Sequence, residues 1–321
     1  MKYYLGIDIG GTKCAVIHGD GDGHVLSKRR FPTTDCTQTV AAILDTARDM
    51  IAEAEKAGQP VSAVGISCGS PMDSRRGIIK EPPNLPGWVD VPITRLVTEA
   101  TGLPAYLCND ANACALAEWQ YGAGRGTRNM IFLTFGTGMG AGLILDGRLY
   151  AGTNDNAGEV GHIRLSDSES APVGYHKAGS FEGFCSGGGL AQLGQIFAVK
   201  AIADGCSPAY CPDKASLPSV TAKSVADAAH AGDPTAIEVY RACGRRLGQA
   251  LSVLVDLFNP ERIVIGSVFA RSGDLLIPEM RRVMEAECLP DALAACEVVP
   301  AALTESVGDL AALTVAVING K

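Results

Sequence analysis

The sequence lacks an excess of positive charge, a long uninterrupted apolar run and a regular set of paired cysteines. Lys and Arg number 27 against 35 Asp and Glu over 321 residues, a net charge of −8. With no basic stripe, a nucleic-acid partner is not expected. The most apolar late stretch, residues 250–270, is interrupted by Asp256 and by Asn259-Pro-Glu-Arg262. It falls short of the roughly 20 apolar residues that a bilayer-spanning helix needs, so no membrane partner is expected. An opening strand pattern starts within the first four residues, which leaves no room for the basic and apolar regions of a secretory leader. Eleven cysteines is an odd number, and Cys14, Cys68, Cys108, Cys114 and Cys243 each stand alone in apolar runs. There a reduced thiol serves as a small hydrophobe, which predicts a cytoplasmic protein without a disulfide framework.

What is present is a chain of globular composition, 47% apolar and 19% charged, long enough for two domains of roughly 150 residues each. It opens on Leu5-Gly-Ile-Asp-Ile-Gly-Gly-Thr-Lys13 followed by Cys14-Ala-Val-Ile17. Apolar and small residues on both sides of Gly10-Gly11 predict a β-hairpin. No amphipathic helix follows the glycines, which separates the motif from dinucleotide and Walker loops. Backbone N–H groups at Gly10 and Gly11 can approach an anion without a Cβ in the way. Thr12 adds a hydroxyl and Lys13 a charge. Asp8, at the strand's end, is a candidate to hold a hydrated Mg²⁺. The same residues also describe a plain tight hairpin with an exposed Asp and Lys.

A second strand–glycine–strand unit spans residues 130–145: Ile131-Phe-Leu-Thr-Phe135, Gly136-Thr-Gly-Met-Gly-Ala-Gly142, then Leu143-Ile-Leu145. Two such units predict a duplicated scaffold with a phosphate turn in each half. Around them, helical spacing predicts helices over 39–56, 92–101, 111–121, 189–204, 224–231, 234–257, 274–288 and 308–318. Short apolar runs predict strands over 25–31, 61–67, 105–108, 263–265 and 296–299. Residues 166–189 read as loop.

Taken together these segments resemble the ROK family (repressor, open reading frame, kinase) of bacterial sugar kinases, across essentially the whole chain. Asp8-Ile-Gly-Gly-Thr-Lys13 is similar to the family's first phosphate motif and Phe135-Gly-Thr-Gly-Met-Gly-Ala-Gly142 to the second. Asn109-Asp-Ala-Asn112 resembles its catalytic stretch, Gly158-Glu-Val-Gly-His162 its Gly-Glu-x-Gly-His, and Pro83-Asn-Leu-Pro-Gly-Trp88 a sugar-contacting loop. The resemblance implies an α/β, two-lobed actin-like ATPase (ribonuclease H-like) fold with an interlobe cleft that closes over substrate. It implies an N-terminal lobe of 1–112 plus 304–321, on which the last helix packs, and a C-terminal lobe of 113–303. It implies ATP and Mg²⁺ as cofactors, with Asp8, Gly10, Gly11, Thr12, Lys13, Gly136, Thr137, Gly138, Gly140 and Gly266 on the nucleotide side and Asp8 anchoring the metal, through water. It implies a hexose or hexosamine substrate held by Asn84, Asn109, Asp110, Glu159, His162 and Glu182. The family is often dimeric, so a homodimer is among the expected partners.

Transfer of a γ-phosphoryl group to a sugar hydroxyl is mainly positioning and charge neutralisation. The hydroxyl is a poor nucleophile, so a carboxylate must accept its proton as the new bond forms. By resemblance that group is Asp110, where a buried strand gives way to a helix; capping of that helix is the other reading of the residue. Gly158 and Gly161 around Glu159 and His162 allow close approach of a ligand, and Trp88 is read as packing its loop.

Two departures from the family stand out. Many members carry Cys-x-Cys-Gly-x-x-Gly-Cys-x-Glu after the His, and those thiolates bind zinc with it. Aligned on Glu182, the three Cys positions hold Val173, Tyr175 and Ser180, so no zinc is expected. Cys68-Gly-Ser-Pro71 stands where many relatives read Pro-Gly-Pro. The leading expectation is an ATP-dependent, glucokinase-like hexose kinase, with fructose, mannose, allose and N-acylhexosamine as alternative substrates. The alternatives are a sugar-sensing regulator, in which a DNA-binding domain would precede the first motif, and a non-catalytic sugar-binding protein.

Overall fold

A computed structural model describes residues 1–320, with Glu305 described only in its backbone; Lys321, assigned above to the N-terminal lobe, lies outside the described residues. The strands are β1 (Tyr3–Ile9), β2 (Lys13–Asp20), β3 (Val25–Pro32), β4 (Val61–Cys68), β5 (Met72–Asp73), β6 (Ile78–Ile79), β7 (Ala105–Asn109), β8 (Met130–Leu133), β9 (Ala141–Leu145), β10 (Arg148–Leu149), β11 (Val173–Gly174), β12 (Lys177–Ala178), β13 (Arg262–Ile265) and β14 (Glu297–Pro300). The helices are α1 (Cys36–Lys56), α2 (Ile93–Thr101), α3 (Asp110–Tyr121), α4 (Phe181–Phe184), α5 (Gly187–Ala203), α6 (Ala222–His230), α7 (Pro234–Phe258), α8 (Val268–Glu287), α9 (Pro290–Ala294) and α10 (Val307–Asn319).

Two five-stranded sheets share one plan. The first has the order β3-β2-β1-β4-β7, and the second, β10-β9-β8-β13-β14, repeats it position by position. In the first, β1 is antiparallel to β2 and parallel to β4, and β4 is parallel to β7. In the second, β9 and β10 are antiparallel while β13 runs parallel to both β8 and β14. By packing, the chain divides into two compact units: 1–128, 142–157 and the segment from Ala302, and 129–141 with 158–301. Residues 113–128, 142–157 and 302–303 thus go with the first unit, whereas the resemblance implied a C-terminal lobe of 113–303.

In the first unit the two-residue period of a strand sorts the core. Leu5, Ile7 and Ile9 of β1 face Ile43, Ala47 and Met50 of α1, together with Leu85 and the fully buried Trp88. On the opposite face Tyr4, Ala15 and Ile17 meet Leu313, Ala316 and Val317 of α10. This second face depends on two glycines. A Cβ on Gly6 would lie 2.7 Å from the Leu313 nitrogen, and one on Gly65 would lie 2.2 Å from the Ala312 oxygen. Glycine here lets helix backbone approach strand backbone. Glu118, fully buried on α3, accepts from the amides of Ala123, Ala302 and Leu303 and so fixes the stretch leading into α10.

The elements depart from the expected ones mainly at their ends. The predicted strand Ile131–Phe135 stops at Leu133, because Thr134 bonds Gly140 across the glycine turn through both its backbone and its hydroxyl. The predicted helix 274–288 is the second part of a longer α8 that starts at Val268 and is kinked at Ser272. Gly273, next to the kink at Ser272, hid its true start, since glycine weakens a helical pattern. Among the described residues, no helix is long and apolar enough to cross a membrane.

Candidate active site

Each unit carries one glycine turn with its own polar side chains. In the first, Gly10 N–H closes the β1–β2 hairpin onto the Lys13 carbonyl at 3.1 Å. Thr33 donates from its hydroxyl to the Gly10 carbonyl at 2.6 Å and from its amide to the Thr12 carbonyl at 3.0 Å, holding the turn from behind. Thr12 and Lys13 are exposed at the tip. Gly11 has to be glycine, since a Cβ there would sit 2.6 Å from the Asn84 carbonyl oxygen. The sugar-loop candidate Asn84 is therefore packed directly on the first phosphate turn.

Asp8 lies on β1 in register with Ser67 of β4. Its pKa is pushed up to about 6, first by burial and then by the carboxylates of Asp309 and Asp110; Lys28 and Lys13 act in the other direction. Asp309, on the first turn of α10, is ion-paired to Lys28 of β3 and lies 3.9 Å from the Arg30 guanidinium. Neither Asp309 nor Lys28 was flagged from sequence. They stand at opposite ends of the chain, and only the fold brings them beside Asp8. A buried carboxylate with two other carboxylates near it suits a hard divalent cation that keeps most of its waters.

Asp110 is the first residue of α3, but the helix cap is its neighbour. Asn109 Oδ1 accepts from Ala111 N at 3.0 Å and Asn112 N at 3.2 Å, and its Nδ2 donates to Ser70 Oγ at 2.9 Å. Asp110 therefore does not supply the cap, although its Oδ1 accepts from the amide of Ala111 at 2.8 Å. The residue is exposed by area, yet enough protein surrounds the carboxyl that desolvation raises its pKa, against the amides that lower it. Ser74 also joins this region. Its amide and hydroxyl both donate to the Asp155 carboxylate, each at 2.7 Å, a clasp that no sequence motif announces.

In the second unit Gly136 N–H bonds the Gly138 carbonyl at 3.0 Å, folding the turn around an exposed Thr137. Gly140 N–H is tied to Thr134 Oγ1 at 2.9 Å. Gly187 N–H at the start of α5 donates to the Gly136 carbonyl at 2.7 Å, and Gly266 N–H donates to the Leu133 carbonyl at 2.9 Å. Glu182, expected on the sugar, braces this turn: its Oε2 accepts from Met139 N at 3.0 Å. A Cβ on Gly138 would lie 2.7 Å from that same oxygen. Glu159 precedes and His162 ends a short 3-10 turn that rests on the glycine turn, where a Cβ on Gly161 would approach the Met139 oxygen to 2.3 Å.

The positions corresponding to the family's thiolates are otherwise occupied. Val173 lies in β11, Tyr175 in the β11–β12 turn, and Ser180 caps α4 through the amide of Gly183 at 3.1 Å. Among the described residues, no group of three or more His, Cys, Asp or Glu is arranged to hold a metal ion.

The known proteins similar to this chain point to one family. The profile of the ROK family matches residues 4–317. A glucokinase of Halalkalibacterium halodurans is 33% identical over 294 residues, covering 90% of this chain and 87% of that one. Among solved structures, a ROK hexokinase from Thermus thermophilus superposes with a TM-score of 0.78 at 31% identity, covering 99% of this chain and 98% of the other. A ROK family glucokinase from Streptomyces griseus, in complex with glucose and AMPPNP, gives a TM-score of 0.74 at 30% identity over 97% and 98%. A putative xylose repressor of Caldicellulosiruptor is 28% identical over 87% of this chain, and the match spans 69% of its length. The mixed α/β fold is that of the actin-like ATPases, and the chain belongs to the ROK family.

Proposed function

We propose that the chain is an ATP-dependent hexose kinase of the glucokinase type, with Asp110 as the general base. The observation that carries this reading is the placement of Asp110. It sits at the head of α3 next to the cap Asn109, its carboxyl crowded by protein and raised in pKa beside Asp8. A carboxylate whose pKa is raised by desolvation is a stronger base than an ordinary Asp. It takes the proton of the sugar hydroxyl as that oxygen bonds to the γ-phosphorus, and ADP leaves.

The glycine turns at Gly10–Gly11 and Gly136–Gly140, with Gly266, face the nucleotide phosphates: the amides of Gly10, Gly136, Gly140 and Gly266 close the turns within the protein, and those of Gly11 and Gly138 act as the backbone donors. Thr12, Thr137 and Lys13 add a hydroxyl or a charge at the exposed tips. Asp8 is the residue that would hold Mg²⁺ through water, and the ion when bound neutralises charge on the transferring phosphates. Asn84, Asn109, Glu159 and His162 pair with sugar hydroxyls. Glu182 serves that side from its position against Met139. Zinc has no part in this reading.

A coupled ADP-release assay with Mg-ATP across glucose, fructose, mannose, allose and N-acylhexosamines tests it. Saturable, sugar-dependent ADP release, strongest with glucose, is expected. A chain that binds sugar without turnover would instead be a sensor or carrier. The repressor similarity favours the sensor as the second reading, and a mobility-shift assay at low salt would expose DNA binding.

A further inference from the structure

We propose that the β11–β12 hairpin is the device that orients His162, with Tyr175 and Lys177 as positioning residues for its imidazole. The inference rests on the reading above in which His162 meets the sugar. His162 ends a three-residue turn and is exposed, so nothing in its own segment fixes the ring. The hairpin supplies what the segment lacks. The Tyr175 ring stands edge to face on the His162 ring, with centroids 5.1 Å apart and planes at 80°. Lys177 Nζ donates to the His162 carbonyl at 2.6 Å, fixing the backbone that carries the ring. Edge-to-face pairs are a preferred aromatic geometry and restrict rotation of both partners.

The hairpin is itself anchored on firm ground. Gln192 of α5 grips Val173 on both sides, accepting from its amide and donating to its carbonyl, each at 2.9 Å. Phe181 N–H donates to the Ile163 carbonyl at 2.8 Å, joining the segment after the hairpin to the residue after His162. The two central residues of the hairpin turn, Tyr175 and His176, both have positive φ, 44° and 63°. That conformation is readily adopted by Gly or Asn, is tolerated by His, and is strained for the bulky Tyr175. Such strain persists where the surroundings impose it and is a pointer to function. Here the turn holds a ring against His162, which a Gly-Asn turn would not.

The test is a double-mutant cycle on the full chain, reading the glucose dissociation constant by calorimetry and KM for glucose and ATP by ADP release. Tyr175→Ala is expected to weaken glucose about 10-fold, to leave kcat and the ATP KM within about 2-fold, and to keep the melting temperature near wild type because Tyr175 is 59% exposed. Tyr175→Phe, which keeps the ring, should behave as wild type, and Lys177→Met should weaken glucose in the same sense as Tyr175→Ala. In a His162→Ala background, Tyr175→Ala should add less than about 2-fold. Unchanged glucose binding in Tyr175→Ala would overturn the proposal, as would the same 10-fold loss in the His162→Ala background. Should His162→Ala alone bind glucose normally, the sugar-contact reading of His162 fails, a result distinct from failure of the hairpin's role.

Discussion

Asp110 and Glu118 sit two turns apart on one helix, and both carboxylates are crowded by protein and met by hydrogen-bond donors. Glu118 is fully buried and answered by three backbone amides, which replace the water it lost. Removing it by Glu118→Ala strands those amides and should cost about 3 kcal/mol in urea unfolding. At Asp110 desolvation outweighs the hydrogen bonds that act against it, and the pKa rises. The base must be ionised to act, and a raised pKa means that the proton stays on to higher pH. Activity is therefore lost as pH falls, and the acid limb of kcat/KM should lie above the usual Asp value of about 3.9. A limb at or below that value would argue against Asp110 as the base. The catalytic candidates were legible in the sequence because each sits in a short motif. Asp309, Lys28 and the Ser74–Asp155 clasp were not, since each relies on a partner far along the chain that only the fold brings near.

At the scale of elements, glycines decide where backbone meets backbone. Gly65→Ala would drive a methyl into the Ala312 carbonyl of α10. Overpacking of that kind costs about 1–3 kcal/mol or more, so a clear fall in melting temperature is expected with no change in the ATP or sugar KM ratio. Gly138→Ala meets the Glu182 carboxylate instead, and a displaced turn should raise the ATP KM several-fold while global stability changes little. The longer strands and helices were read from sequence to within a few residues because their apolar periods are clear, apart from the start of α8; the short helices α4 and α9 were not read. The two-residue strands β5, β6, β10, β11 and β12 were missed. Pairs so short carry no period, and their turns hold residues such as Tyr175 and His176 in conformations that composition does not advertise. Residues 166–189, which read as loop, contain the β11–β12 hairpin held by the Gln192 grip and a helix start capped by Ser180.

For the whole molecule, the duplication suggested by two strand–glycine–strand stretches is present as two sheets of one plan, β3-β2-β1-β4-β7 and β10-β9-β8-β13-β14. Each delivers a glycine turn from its central strand, β1 or β8, which is why the chain carries two such turns in different sequence contexts. The sugar cannot be read from such a plan, because one or two pocket contacts decide among hexoses. The central claim is that a single carboxylate accepts the proton of the sugar. It is tested most directly by Asp110→Asn, with glucose binding measured by calorimetry beside ADP release. The account predicts glucose binding within a few-fold of wild type and turnover reduced at least 10³-fold. An Asn variant that binds glucose and still turns over near the wild-type rate would contradict it.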